Sequence, residues 1–193
     1  MRHLPNLITL IRLLLILPAG WSILAGRFEP AFVLFLLAGA SDGLDGWLAR
    51  RYGWTSRFGA IADPLADKLL VAVVYVALVW IGVLPLWLAV LVLGRDLTIV
   101  AGASGYHLLV ERIEMAPTAL GKVCTLAHIL YVGMVLASLV GEPLSLLAPL
   151  VTPGGWIIAG LTLVSGLDYV RIWAGRAAVR GGEGEGDADH GRG

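Results

Sequence analysis

Ser41-Asp42-Gly43-Leu44-Asp45-Gly46-Trp47-Leu48-Ala49-Arg50 closes one apolar run, and Gly59-Ala60-Ile61-Ala62-Asp63-Pro64-Leu65-Ala66-Asp67-Lys68 opens the next. Asp42 and Asp45 are three residues apart, and Asp63 and Asp67 four, so on helices each pair shares one face. The short connection between the runs makes antiparallel neighbours of the two helices. Four carboxylates are then expected to converge in one small volume.

Outside this stretch the chain is strongly apolar. Hydrophobic residues make up 58% of the 193 and charged residues 15%, against roughly 45–50% and about 25% in soluble domains. Mean hydropathy is +0.84. A bilayer core of about 30 Å takes about 20 apolar residues per helix. Six segments meet that need: Leu7 to Ala25, Pro30 to Ala49, Asp63 to Gly82, Leu84 to Tyr106, Leu120 to Val140, and Gly155 to Gly175. Glycine and proline punctuate the gaps, at Gly26 and Pro30, at Gly82 and Pro85, and at Gly141 and Pro143. Pro149 and Pro153 break the approach to the last segment. The first run is too long for the apolar part of a signal peptide, so it reads as a span. The expected fold is all-α, a polytopic membrane domain of six transmembrane helices over residues 1–180.

Charge placement orients it. Arg2, Arg50, Arg51, Arg57, Lys68, Arg112, Lys122, Arg171, Arg176 and Arg180 fall at alternate ends of the segments, whereas the opposite ends carry Arg27. Basic residues mark the cytoplasmic side, which puts both termini there. Trp21, Trp80, Trp87 and Trp156 gather toward the other side, and Trp47, Trp54 and Trp173 toward the basic one, as an interfacial aromatic belt would. Residues 181–193 are Gly-rich and acidic without apolar residues, and a disordered tail is expected. Formal net charge is zero, so no global field points to nucleic acid. The single cysteine, Cys124, excludes an intramolecular disulfide and reads as a small packing residue. His107 and His128 lack metal-ligand spacing and read as structural.

Four carboxylates in such a chain are costly. One Asp at the bilayer centre costs about 2.5–3.5 kcal/mol, less toward the interface, and the four repel one another. Hard divalent cations relieve both penalties, because Mg²⁺ prefers oxygen ligands. Two such ions would balance four carboxylates and could clamp phosphoryl oxygens during an in-line displacement. Gly39 and Gly43 form a G-x-x-x-G pair suited to close helix approach, and Gly43, Gly46 and Gly59 leave room for a ligand. Arg50 is placed to offer its planar fork to a phosphate, while Arg51 and Arg57 read as orientation charges.

Together these residues spell D-x-x-D-G-x-x-A-R, eight residues, then G-x-x-x-D-x-x-x-D. The pattern resembles the signature of the CDP-alcohol phosphotransferase family, and the likeness runs from Pro5-Asn6-Leu7 through the sixth segment. The resemblance implies an enzyme that transfers a phosphatidyl group from CDP-diacylglycerol to an alcohol and releases CMP. It implies two Mg²⁺ or Mn²⁺ ions held by Asp42, Asp45, Asp63 and Asp67, with Asp67 also the general base. Gly46, Ala49 and Arg50 would hold the CDP moiety. A homodimer in the bacterial inner membrane, its site facing the cytoplasm and its donor drawn from membrane lipid, is implied as well.

Two branches of the family fit the remaining motifs. Pro5-Asn6-Leu7-Ile8-Thr9-Leu10-Ile11-Arg12 and the Asp-Pro-Leu-Ala-Asp-Lys run resemble phosphatidylglycerophosphate synthases, whose acceptor is glycerol 3-phosphate. Gly94-Arg95-Asp96 and the stretch from Met115 to Thr125 also resemble the cardiolipin synthases of the family, whose acceptor is phosphatidylglycerol. Arg95-Asp96 stands where the first branch commonly has Arg-Glu. Glycerol 3-phosphate is the expected acceptor and phosphatidylglycerol the alternative, with Arg95 and Lys122 as candidates for binding it. Asp168 has Arg171 one turn away as an expected structural partner. A cation transporter would also gather intramembrane carboxylates, but such sites sit near the midplane on broken helices. Here the carboxylates cluster toward the basic ends.

Overall fold

The computed structural model describes residues 4–52, 57–109 and 119–189, with side chains for 10–41, Ala66, 68–99, 120–169 and Arg171. Helices account for nearly all of it: α1 (Leu4–Leu24), α2 (Phe28–Tyr52), α3 (Arg57–Trp80), α4 (Leu86–Leu109), α5 (Ala119–Val140) and α6 (Val151–Asp189). A 3₁₀ turn, Leu144–Leu150, precedes α6. The described residues contain no strand. Each apolar segment read from the sequence falls on one of these helices. Pro149 lies inside the 3₁₀ turn and Pro153 in the first turn of α6, where a missing N–H costs nothing. The prolines therefore shape the entry to α6 without interrupting it.

Three reversals lie at one end of the bundle, and each turns on a glycine with positive φ: Gly26 (69°), Gly82 (77°) and Gly141 (115°). At two of them the cap is complete. Gly26 N–H donates to Ile23 O and Arg27 N–H to Ser22 O at 3.0 and 2.8 Å; Gly82 N–H donates to Val79 O and Val83 N–H to Leu78 O at 3.0 and 2.9 Å. This paired pattern satisfies carbonyls that a helix end leaves open, and it needs a residue without a Cβ at the left-handed position.

The helices close into a ring. α1 packs on α2 and α3, α4 on α3 and α6, and α5 on α2 and α6, with α3 also reaching α5. Among the described residues α2 touches α3 less than either helix touches α1. α1 and α3 run in the same direction and line one groove together, from Leu17 to Leu24 and from Ala72 to Trp80. They approach closely at Gly20, where an added Cβ would meet Val73 Cγ1 at 2.6 Å. Gly39 makes no such approach; a Cβ there would meet open space. The expected G-x-x-x-G contact is thus not made at Gly39, and Gly20 on α1 does that work instead.

Tyr75, Leu78, Leu88, Val92, Val132, Val135 and Leu136 form the core. The outside is apolar too: Leu14, Leu17, Leu97, Leu130, Trp80 and Trp156 are all exposed. Soluble monomers rarely expose contiguous apolar surface beyond a few hundred Å², so this exterior suits lipid. Among the described residues, Leu120–Val140 and Leu144–Tyr169 are long and apolar enough to cross a membrane. Shorter apolar stretches occupy Leu10–Leu24, Phe28–Ser41 and Lys68–Trp80.

The boundary expected at Gly181 is not a helix end, since α6 continues to Asp189. Propagation from an existing helix adds one hydrogen bond per residue without a new nucleus. Residues 190–193 of the expected tail lie outside the described residues.

Candidate active site

Asp42 and Asp45 lie on α2, and Asp63 and Asp67 on α3. α2 runs away from the glycine turns and α3 toward them, which fixes their levels. At a rise of about 1.5 Å per residue, Asp42 lies about 21 Å along α2 from Phe28 and Asp45 about 26 Å. Asp67 lies about 20 Å below Trp80 on α3 and Asp63 about 26 Å. Counted from the glycine-turn ends in this way, the upper member of each pair comes near the level of the upper member of the other, and the lower near the lower. Two helices of opposite direction bring a three-residue and a four-residue spacing into register. The side chains of these four aspartates, and of Gly46, Ala49 and Arg50 farther along α2, lie outside the described ones.

Beside this level the described side chains form a polar network unlike anything else in the bundle. Lys68, next to Asp67, pairs with Asp96 Oδ1 at 3.1 Å. Arg95 Nη1 donates to the same oxygen at 2.7 Å, and Arg95 Nη2 donates to Ser165 Oγ at 2.7 Å. The network thus ties α3, α4 and α6 together around one carboxylate. Arg95 is buried, its guanidinium lies 5.8 Å from the Tyr169 ring centre, and its Nε finds no hydrogen-bond partner. Arg95 and Asp96 do pair, as their adjacency allows. Lys68 and Ser165 were not singled out for this network; the signal was the placement of Lys68 beside Asp67, opposite an acid on the next helix.

His128 is structural, as expected. It is buried, its Nε2 lies 2.9 Å from Thr162 Oγ1, and its ring meets Tyr75 edge-on at 6.3 Å. Cys124 is free and buried, one turn away, with Sγ 3.9 Å from His128 Nε2. Lys122 is exposed on α5 and takes no part in the Arg95 network. The expected Asp168–Arg171 pair is not formed among the described residues: Arg171 is exposed, where solvation competes with pairing. His107 falls on α4, its side chain outside the described ones.

A surface groove of about 580 Å³ lies elsewhere. It runs between α1 and α3 near the glycine turns and is lined by Leu17, Gly20, Trp21, Val73, Val76 and Trp80. With no titratable group on it, it can hold acyl chains but perform no chemistry.

Over residues 2–166 the chain matches the sequence profile of CDP-alcohol phosphatidyltransferases. It belongs to that family. The family is one of membrane enzymes that use divalent metal ions. A protein of Mycobacterium tuberculosis named "Probable phosphatidylglycerophosphate synthase" is 35% identical over 175 residues, covering 87% of this chain and 80% of that protein. The Bacillus subtilis CDP-diacylglycerol–glycerol-3-phosphate 3-phosphatidyltransferase is 32% identical over 191 residues, covering 88% and 94%. The rat cardiolipin synthase (CMP-forming) is 30% identical over 151 residues, covering 70% of this chain and 50% of that enzyme.

The donor chemistry fits a metal of this kind. Among the described side chains no group of three or more His, Cys, Asp or Glu could hold an ion. The level shared by α2 and α3 carries carboxylates without a thiol or imidazole. Such an all-oxygen set suits Mg²⁺ or Mn²⁺ over softer ions.

Proposed function

We propose that this phosphatidyltransferase moves the phosphatidyl group of CDP-diacylglycerol onto glycerol 3-phosphate, giving phosphatidylglycerophosphate and CMP. The reading is carried by the placement of two aspartates on α2 and two on α3, helices of opposite direction, on which helical rise counts Asp42 near the level of Asp67 and Asp45 near that of Asp63. The choice of acceptor is supported by the two relatives covered over most of their length, both named for phosphatidylglycerophosphate or glycerol 3-phosphate. The cardiolipin synthase likeness covers half of that enzyme.

Asp42, Asp45, Asp63 and Asp67 would hold two Mg²⁺ or Mn²⁺ ions, which when bound offset negative charge on the donor's pyrophosphate. Gly46, next to Asp45, and Ala49 and Arg50, about one turn on along α2, would hold the CDP moiety, Arg50 through its planar fork. Asp67 accepts the proton of the acceptor hydroxyl. That oxygen bonds to the β-phosphorus as the bond from phosphorus to the bridging oxygen breaks, and CMP leaves with the bridging electron pair. Arg95 and Lys122 remain the candidates for the acceptor's phosphate. Arg95 is already oriented by Asp96 and Ser165, so little ordering entropy would be lost on binding.

Lipid donor and lipid product call for a site at membrane level. All six helices are proposed as spans, with both termini cytoplasmic, the aspartate level facing the cytoplasm of a bacterial inner membrane, and the enzyme a homodimer. The apolar exterior and the placement of basic residues support this. The test is an acceptor screen on the purified enzyme with CDP-diacylglycerol and Mg²⁺, products identified by mass. Phosphatidylglycerophosphate from glycerol 3-phosphate is expected. Cardiolipin from phosphatidylglycerol, with none of the former, would move the enzyme to the other branch.

A further inference from the structure

Arg12 is the largest fully buried side chain among the described residues. It is the one charged residue in the run from Leu7 to Ala25, and α1 packs on two helices, α2 and α3. A guanidinium withdrawn from water persists only when paired and hydrogen-bonded. Among the described elements, the counter-charge is then sought on α2 and α3.

Few acids are available there. α2 carries Glu29, Asp42 and Asp45, and α3 carries Asp63 and Asp67. Arg12 lies about 18 Å below Leu24 along α1, counted as above. Glu29 is in the first turn of α2, at the opposite end. Asp42 and Asp67 lie within about one helical turn of the Arg12 level, and Asp45 and Asp63 a turn farther. Of the described cations near this level, Lys68 and Arg95 both hold Asp96 on α4, and Lys122 is exposed on α5.

We infer that Arg12 is the permanent counter-charge of the aspartate level, a positioning residue that keeps Asp42 and Asp67 in place whether or not metal is bound. The inference rests on the proposed metal-site reading for its metal dependence, but not for the charge pairing itself. Metal ions and Arg12 oppose the same repulsion. Removing Arg12 must therefore hurt most when metal is absent, and neutralising one carboxylate must offset its loss.

The test is thermal unfolding of the full chain in detergent, followed by tryptophan fluorescence in excess chelator and in saturating Mg²⁺. Arg12→Gln should lower Tm by roughly 5–10 °C in chelator and by less than half that in Mg²⁺. Arg12→Lys, which keeps the charge, should recover most of the loss. In chelator, Arg12→Gln combined with Asp42→Asn or Asp67→Asn should be more stable than Arg12→Gln alone. Equal loss with and without Mg²⁺, or no recovery in both double variants, would overturn the inference and leave Arg12 a packing residue. If Arg12→Gln does not fold, folding of either double variant supports the pairing, and failure of both refutes it. An unsubstituted protein that Mg²⁺ does not stabilise would instead overturn the metal-site reading, while the double variants in chelator still decide the pairing.

Discussion

The two ends of the bundle are built on opposite principles. At the glycine-turn end, apolar side chains meet apolar side chains, Trp87 lies 4.9 Å from Trp156 between ring centres, and reversals are capped by the backbone itself. About 20 Å away, at a level set by helical rise, the same helices carry four aspartates, a buried arginine and a network of Lys68, Asp96, Arg95 and Ser165. The first end stabilises the fold through burial and closed hydrogen bonds. The second is expected to cost stability, because helical rise counts like charges to one level of an apolar chain. The proposed chemistry gives such a level its reason beside so apolar an exterior.

Substitutions at the two ends should accordingly differ in kind. The largest effect is expected from Asp67→Asn, which keeps shape and an oxygen donor but removes basicity. Turnover should fall about 10²–10⁴-fold while binding of CDP-diacylglycerol, measured by equilibrium methods, is largely retained. Asp42→Asn should weaken donor binding as well; identical profiles for the two would erase the division of labour.

Next comes Ser165→Ala, which strips Arg95 of one charge-assisted hydrogen bond. A loss of about 1.5–3 kcal/mol of stability and a raised KM for the acceptor are expected. A stability loss with unchanged acceptor KM would make the Arg95 network structural alone.

At the opposite end, Gly82→Ala places a Cβ at a φ of 77° and should cost about 1 kcal/mol or somewhat more, with kcat unchanged for the folded fraction. The smallest effect is expected for Trp87 and Trp156. A double-mutant cycle to leucine should yield a coupling of about 0.5–1.5 kcal/mol, again without effect on turnover. A kinetic defect from either end-cap substitution would show that the two ends are not separable.

Much of this contrast was legible in the chain. The six apolar runs and their glycines marked the helices and reversals, because a span of fixed length and a left-handed turn each leave a local mark. The aspartates stood out because acids are rare in apolar runs. What depends on three-dimensional neighbours was not legible. Gly39 looked like a helix-contact residue, yet Gly20 makes the close approach, since spacing alone does not say which face meets a partner. Asp168 and Arg171 have pairing distance in sequence but are not joined. Arg12 was the missed signal: one arginine in the middle of an otherwise uncharged run, visible from the start, whose meaning depends on α1 lying against both aspartate-bearing helices.

The most direct measurement is CMP release by the purified protein from labelled CDP-diacylglycerol with glycerol 3-phosphate, in Mg²⁺ and in excess chelator. CMP should appear with Mg²⁺, vanish with chelator, and return when Mg²⁺ is restored. Full turnover in excess chelator would contradict the assignment of the aspartate level as a metal-dependent phosphatidyl-transfer site.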